Sequence, residues 1–241
     1  MRFTGHSDTA LVIRWPLVLT LLLMAVPARA ADPKTNSTAR YNVRVWQTDE
    51  GLPHNTVHAI AQTPDGYLWV GTRAGLARFD GVRFLPLDDA AAPELKHAWI
   101  TALAVSRDGG LWIASESNGV TCFKDGVFTR FTATDGLPGN QIQCLLESRE
   151  GSLWLGGDRG LSRFRAGRFT RFTGSEFLRE NSVKALCEDA RGILRVATVT
   201  GLVSINPDGV VSPNNFGSGP VSGVLKAVCE DRQGRLWLGA T

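Results

Sequence analysis

Few residues in this chain of 241 are equipped for acid–base or metal chemistry. Of its four histidines only His54, His58 and His97 lie beyond the first thirty residues. No His-Glu-x-x-His, Gly-x-Ser-x-Gly, Gly-rich phosphate loop or Cys-x-x-Cys is present, so the sequence nominates no catalytic residue, no metal set and no cofactor. Polar residues suited to binding remain: Arg73, Glu116, Asn118, Asp158 and Arg159, joined by His54 and His97. Together they would suit a hydroxyl-rich or charged small ligand. Ordinary solvated loop charges is the competing reading for each one.

These residues are positioned by a repeat. Asp65-Gly66-Tyr67-Leu68-Trp69 returns as Asp108-Gly109-Gly110-Leu111-Trp112, Glu150-Gly151-Ser152-Leu153-Trp154, Arg191-Gly192-Ile193-Leu194-Arg195 and Gln233-Gly234-Arg235-Leu236-Trp237. The glycines Gly66, Gly109, Gly151, Gly192 and Gly234 are 43, 42, 41 and 42 residues apart, a period characteristic of stacked or radial repeats. Inside the first unit, Val57-His58-Ala59-Ile60-Ala61, Leu68-Trp69-Val70-Gly71-Thr72, Gly75-Leu76-Ala77-Arg78-Phe79 and Val82-Arg83-Phe84-Leu85 are short β-prone runs separated by Gly-bearing turns. Helical periodicity is absent. The predicted fold is all-β: a β-propeller of four-stranded antiparallel blades, with repeats near 56–98, 99–140, 141–181, 182–223 and 224–241. A solenoid or sandwich is the alternative.

The turns between strands one and two and between three and four are uniform and share one face of such a meander. The other face receives the variable loops, among them Arg73-Ala74, Glu116-Ser117-Asn118 and Asp158-Arg159, together with the crossings at His54-Asn55, Pro93 to His97 and Phe177 to Asn181. Recognition concentrates on variable loops held by a rigid scaffold, so this face and its channel mouth form the expected site. His58 alternates with small inner-strand residues and is a candidate to line the channel, although a structural role is the commoner one.

Trp69, Trp112, Trp154 and Trp237 share one register and are expected to glue blade to blade rather than stack on ligand. Each buries about 150–250 Å², worth about 4–6 kcal/mol gross. Arg195 replaces the fourth indole and is expected to lay its stem along the seam with its head in water. Cys144, Cys187 and Cys229 follow the repeat at alanine-like positions, so all four thiols, Cys122 included, are expected to be free and buried.

Gly51-Leu52-Pro53-His54-Asn55, Asp65-Gly66-x-Leu68-Trp69-Val70-Gly71-Thr72 and Gly75-Leu76-x-x-Phe79-Asp80-Gly81 resemble the two-component regulator propeller repeats, and Gly136 to Asn140 repeats the first of these motifs. The resemblance covers roughly Val43 to Thr241. It implies a periplasmic, ligand-binding sensor region of a hybrid histidine kinase or related receptor, non-catalytic in itself, with signalling domains beyond Thr241 and a possible homodimer in the full receptor. Asn55 and Asn140 are expected to be buried turn-formers. A streptogramin-lyase-like enzyme, needing a histidine and an acidic partner at the channel mouth, and a passive protein-interaction scaffold are the alternatives.

Residues 1–30 carry Arg2 and Arg14, an apolar run from Trp15 to Val26 and Ala28-Arg29-Ala30, the pattern of an export signal peptide, followed by a flexible linker at 31–40. The run is too short to span a bilayer, which takes about 20 residues. The net charge of +3 falls to +1 without the leader, and both signs are mixed, which makes nucleic acid an unsuitable partner. The fifth repeat stops after its second strand. An incomplete propeller of four full blades plus part of a fifth is therefore expected, the front of a ring of about seven blades, with a small molecule or oligosaccharide as ligand.

Overall fold

The computed structural model describes residues 43–87, 92–172, 175, 177–178, 181–213 and 223–241. The leader and linker expected at 1–30 and 31–40 lie outside the described residues, as does part of the crossing at 177–181. Four sheets have four antiparallel strands each, in sequence order. The first holds β1 (Val57–Gln62), β2 (Leu68–Thr72), β3 (Gly75–Phe79) and β4 (Phe84–Pro86), and the second β5 (Ile100–Val105), β6 (Leu111–Ser115), β7 (Val120–Lys124) and β8 (Val127–Phe131). The third holds β9 (Ile142–Glu147), β10 (Leu153–Gly157), β11 (Gly160–Arg165) and β12 (Arg168–Phe172). The fourth holds β13 (Val183–Glu188), β14 (Leu194–Thr198), β15 (Gly201–Ile205) and β16 (Val211–Pro213), and a two-stranded sheet of β17 (Leu225–Glu230) and β18 (Leu236–Ala240) completes the set.

The first strands of consecutive sheets adjoin one another, β1 on β5, β5 on β9, β9 on β13 and β13 on β17. The sheets thus fan as blades around an axis lined by inner strands, and the ring is not closed. The outer edge strands β4 and β16 are three residues each, which limits pairing with another chain, whereas β8 and β12 run for five.

Each seam is an aromatic and aliphatic layer. Trp69, 3% exposed, packs with Ile100, Leu111 and Ile113 of the second blade, and its ring lies 5.4 Å from Phe123. Trp112 meets Phe164 of the third blade at 4.9 Å, and Trp154 packs on Leu194, Val196, Val203 and Ile205 of the fourth. Trp237 in the last sheet has no blade over it among the described residues and is 57% exposed. At the other end Ile60 is 64% exposed, whereas its register equivalents Leu103, Leu145 and Leu186 pack into seams. Trp46, ahead of the first blade, covers Phe79 and Phe84 at 5.0 and 5.4 Å.

The seams also carry a repeated polar clasp. Glu147 accepts the Arg107 backbone N–H at 3.1 and 3.0 Å, Glu188 accepts that of Arg149 at 2.7 Å, and Glu230 that of Ala190 at 2.6 Å. In return the Arg107 and Arg149 guanidiniums donate to the carbonyls of Ser148 and Ala190. Charge-assisted bonds of this kind add directional contacts across these seams to the apolar packing.

Three sequence expectations are corrected. The Arg195 head is not in water: its guanidinium donates to Asp189 Oδ2 at 2.8 Å and to Ser204 Oγ at 2.6 Å, with the two ion-pair side chains 19% and 4% exposed. The residue takes the place of an indole that elsewhere donates to the same turn, as Trp69 Nε1 does to Thr63 Oγ1 (3.1 Å) and Trp237 Nε1 to Asp231 Oδ2 (3.0 Å). The four cysteines are free, but only partly buried in three cases and exposed at Cys229, because no sheet among the described residues covers the last blade. Asn55 and Asn140 form their turns while exposed, each side-chain oxygen accepting a backbone N–H, of Thr48 and of Ala133, at 2.9 Å. Burial is unnecessary there, since the buried Leu52 and Leu137 anchor the turns.

Candidate functional site

The site begins with an irregularity present in every blade. Each inner strand shifts register at its second residue when paired with its neighbour: between Val57 and Ala59, Ile100 and Ala102, Val183 and Ala185, and Leu225 and Ala227, with the same shift around Gln143. A bulge leaves one residue unpaired and re-aims its side chain. Here it sends Ile100 toward the preceding blade and Ala102 toward the following one, which ordinary alternation forbids. The residues left between, His58, Thr101, Gln143, Lys184 and Lys226, are directed to the axis.

They meet there. These five residues, with Trp99 and Glu116, line one cavity of about 480 Å³ at the axial mouth. Trp99 stands just before β5, is 37% exposed, and its carbonyl accepts the Glu116 backbone N–H at 2.9 Å. The His58 ring lies 5.3 Å from the indole, and the Arg73 guanidinium carbon 5.2 Å from the indole centroid. Rungs tie the wall together: Lys184 Nζ donates to Gln143 Oε1 at 2.8 Å, and the Thr101 hydroxyl to the Ile142 carbonyl. The surface so built is an indole face flanked by two lysines, an arginine, an imidazole and one carboxylate. Such a mixture offers a stacking face, hydrogen-bonding groups and an excess of positive charge in one place.

The residues nominated from the sequence are distributed over the loop face rather than gathered in one place. Glu116 lines the axial cavity and Arg73 stands at its margin. Asp158 and Arg159 line a second cavity of about 360 Å³ with Ser117, Gly139, Asn140 and Gln141, where their own ion pair measures 3.7 Å. Asn118 is a brace, its amide donating to the Glu94 carbonyl at 2.7 Å. His54 accepts the Thr56 backbone N–H at Nδ1 (2.9 Å), and His97, at φ 55°, lines a shallow recess with Pro53, Ala74 and Gly75. Trp99, Thr101, Gln143, Lys184 and Lys226 were not nominated. Thr101, Gln143, Lys184 and Lys226 share with His58 the polar position just inside each inner strand, filled by a different residue type in almost every copy, whereas Trp99 precedes β5 and carries no repeat signal.

Among the described residues no cluster of three or more histidine, cysteine or carboxylate side chains fits a metal ion, and no helix is long and apolar enough to cross a membrane.

Fanned four-stranded meanders with an axial mouth define the molecule as a β-propeller, here an open arc. Its repeats carry a known signature: residues 51–74, 136–159 and 218–241 match the family model described as two component regulator propeller. Among solved structures, the extracellular domain of the proposed hybrid two component system BT3049 of B. thetaiotaomicron is 19% identical over 82% of this chain, with a TM-score of 0.66. PorZ, a surface component of the type-IX secretion system of Porphyromonas gingivalis, is 17% identical over 85% with a TM-score of 0.62. Virginiamycin B lyase of Staphylococcus aureus is 16% identical over 76% with a TM-score of 0.59. The chain spans 28% of the first of these, 33% of the second and 62% of the third. No curated protein matches the sequence.

Proposed function

We propose that this propeller arc is the ligand-sensing part of an exported two-component-type receptor, and that its axial mouth binds an acidic, hydroxyl-rich ligand such as a uronate-containing oligosaccharide. One observation carries the reading: five bulged inner strands direct five polar side chains into a single cavity beside an exposed indole. Trp99 offers a flat face to a sugar ring, Gln143 and Thr101 offer amide and hydroxyl groups, and Lys184, Lys226 and Arg73 attract a carboxylate. The leader at 1–30 and the extracellular domains among the structural neighbours support export. Asp158 and Arg159 form a subsidiary contact for a longer ligand.

Thermal unfolding of the 241-residue chain with glucuronate and galacturonate oligosaccharides, set against their neutral counterparts, tests this. Acidic sugars are expected to raise Tm; Trp99→Ala and Lys184→Met are expected to abolish the rise. No shift with any sugar, or an undiminished shift in Trp99→Ala, overturns the reading.

A lyase-type enzyme is the second reading, favoured by one fact: His58 and Glu116, a base and an acid, line the same cavity. Turnover of a candidate substrate that is lost in His58→Ala and in Glu116→Gln would establish it in place of the sensor.

A further inference from the structure

The seams are not alike. By strand register, Phe79, Phe123, Phe164 and Ile205 are equivalents, each paired with the leucine that opens its second strand, and they pair in turn with Phe84, Phe128, Phe169 and Val211. Phe123 and Phe128 stack on each other at 4.4 Å under Trp69, and Phe164 and Phe169 sit 4.9 and 6.2 Å from Trp112. In the fourth blade both rings are replaced by smaller aliphatic side chains. The seam between the third and fourth blades accordingly opens into a cleft of about 360 Å³, within the range of small-molecule sites.

One wall of the cleft is intact and aromatic. Trp154 and Phe172 stand 5.7 Å apart, facing the space from which two phenyl rings are missing. The floor is Leu194 and Ile205, and the rim bears arginines and glutamates. The glutamates are engaged: Glu188 accepts the Arg149 N–H at 2.7 Å, and Glu150 holds Ser152 Oγ at 3.0 Å and Arg165 at 3.4 Å. The Arg149 guanidinium is spent on the Ala190 carbonyl. Arg163 lies against the Trp154 face at 5.6 Å, and among the described residues neither it nor Arg191 is in an ion pair.

We propose that this interblade cleft is a second binding site, for a small aromatic carboxylate. The ring enters the cleft left by the missing phenylalanines, against the half-buried Phe172 and the small part of Trp154 that the fourth blade leaves uncovered, and the carboxylate is held at the rim by Arg163 and Arg191. Size sets the ring and charge sets the anion. The site lies on the short-turn face, lined by the turns at 148–150 and 190–192, away from the axial mouth and independent of the ligand proposed there.

Calorimetric titration of the whole chain with indole-3-acetate and 3-phenylpropionate, each against its neutral amide, tests the proposal. Saturable binding of the acids is expected, about tenfold tighter than the amides because a charge-assisted bond is lost with the carboxylate. Ile205→Phe with Val211→Phe rebuilds the aromatic plug and is expected to abolish binding. Should that variant not fold, Arg163→Met with Arg191→Met is expected to erase the preference for acid over amide. Trp99→Ala, which alters only the axial mouth, is expected to leave aromatic acid binding unchanged. No saturable binding, binding that survives the plug, or an acid preference that survives loss of both arginines overturns it.

Discussion

Arg195 illustrates how much a single repeat position can demand. The turn residue it answers is Asp189, 3% exposed, a carboxylate that would be costly to bury without a partner. Burial pushes the Asp189 carboxyl up, but the Ile193 N–H, the Arg195 guanidinium and the Arg191 N–H together outweigh it and hold the group below its ordinary value. Removing the guanidinium leaves this buried charge with only the Arg191 and Ile193 N–H groups, both on Oδ1, and Oδ2 without its partner. Arg195→Ala is therefore expected to cost about 3–5 kcal/mol in urea unfolding, whereas Arg195→Trp recovers most of that loss because an indole at this register reaches the same oxygen in the last blade. A cost below about 1 kcal/mol for the alanine variant would contradict the assignment. Two further turn carboxylates add an acid limit. Asp108, bonded first by Lys124 and then by Ser106, is lowered to about 2, and Asp231, bonded by the Trp237 indole and by Arg235, also to about 2. Both folded values lie below the ordinary 3.8, so the stability they lend is present above about pH 4 and is lost as pH falls toward 2. Tm measured from pH 6 to pH 2 is expected to fall mainly within that window, with a smaller fall in Asp108→Asn.

At the scale of the strand, the decisive elements are the inner-strand bulge and the small residue opposite it. Gly156 in β10 stands where an added methyl would lie 2.5 Å from both Cys144 Sγ and Val183 Cγ1, so the glycine admits the next blade's leading side chain. Gly71 serves Ile100 in the same way, at 2.5 Å. Gly156→Ala is expected to destabilise by about 1–3 kcal/mol through overpacking, and Val183→Ala in the same chain is expected to return part of it, a coupling that chemical denaturation of the four variants would reveal. Strict additivity would show that the clash is relieved elsewhere. These elements also mark the limit of legibility. Period, turn glycines and indoles announce the blades because each is repeated in type. The bulge is not announced: nothing in Ile100-Thr101-Ala102 distinguishes a regular strand from one that turns Thr101 to the axis. Hence Glu116 was reachable from the sequence as a loop residue and His58 as a possible channel residue, while Gln143, Lys184 and Lys226 read as ordinary strand polarity. At Asn118 the loop amide also satisfies nearby backbone, donating to the Glu94 carbonyl, a role that sequence spacing does not reveal.

For the molecule as a whole, the arc imposes a gradient from covered seams to an open last blade, and its cysteines sample that gradient. Cys144 sits in a covered seam, where burial pushes its thiol up to about 12, and Cys122 is pushed by burial to about 11. Burial raises the Cys187 thiol as well, where it packs beneath the last sheet with Leu236 and Leu238. Cys229, at the register of Cys187 one blade further on, is exposed together with Trp237 on the same unpaired face. Reagents attack the thiolate, and burial both hides the other three thiols and raises them. Native alkylation at pH 8 followed by peptide mass mapping is expected to label Cys229 first and the other three only at the rate of unfolding. Iodide quenching should select Trp237 and Trp99 over Trp69, Trp112 and Trp154, which are buried in seams. Equal labelling of Cys229 and Cys144 would mean that the seams open as readily as the end, and the radial stacking of blades through their indoles would then no longer explain how the arc holds its shape.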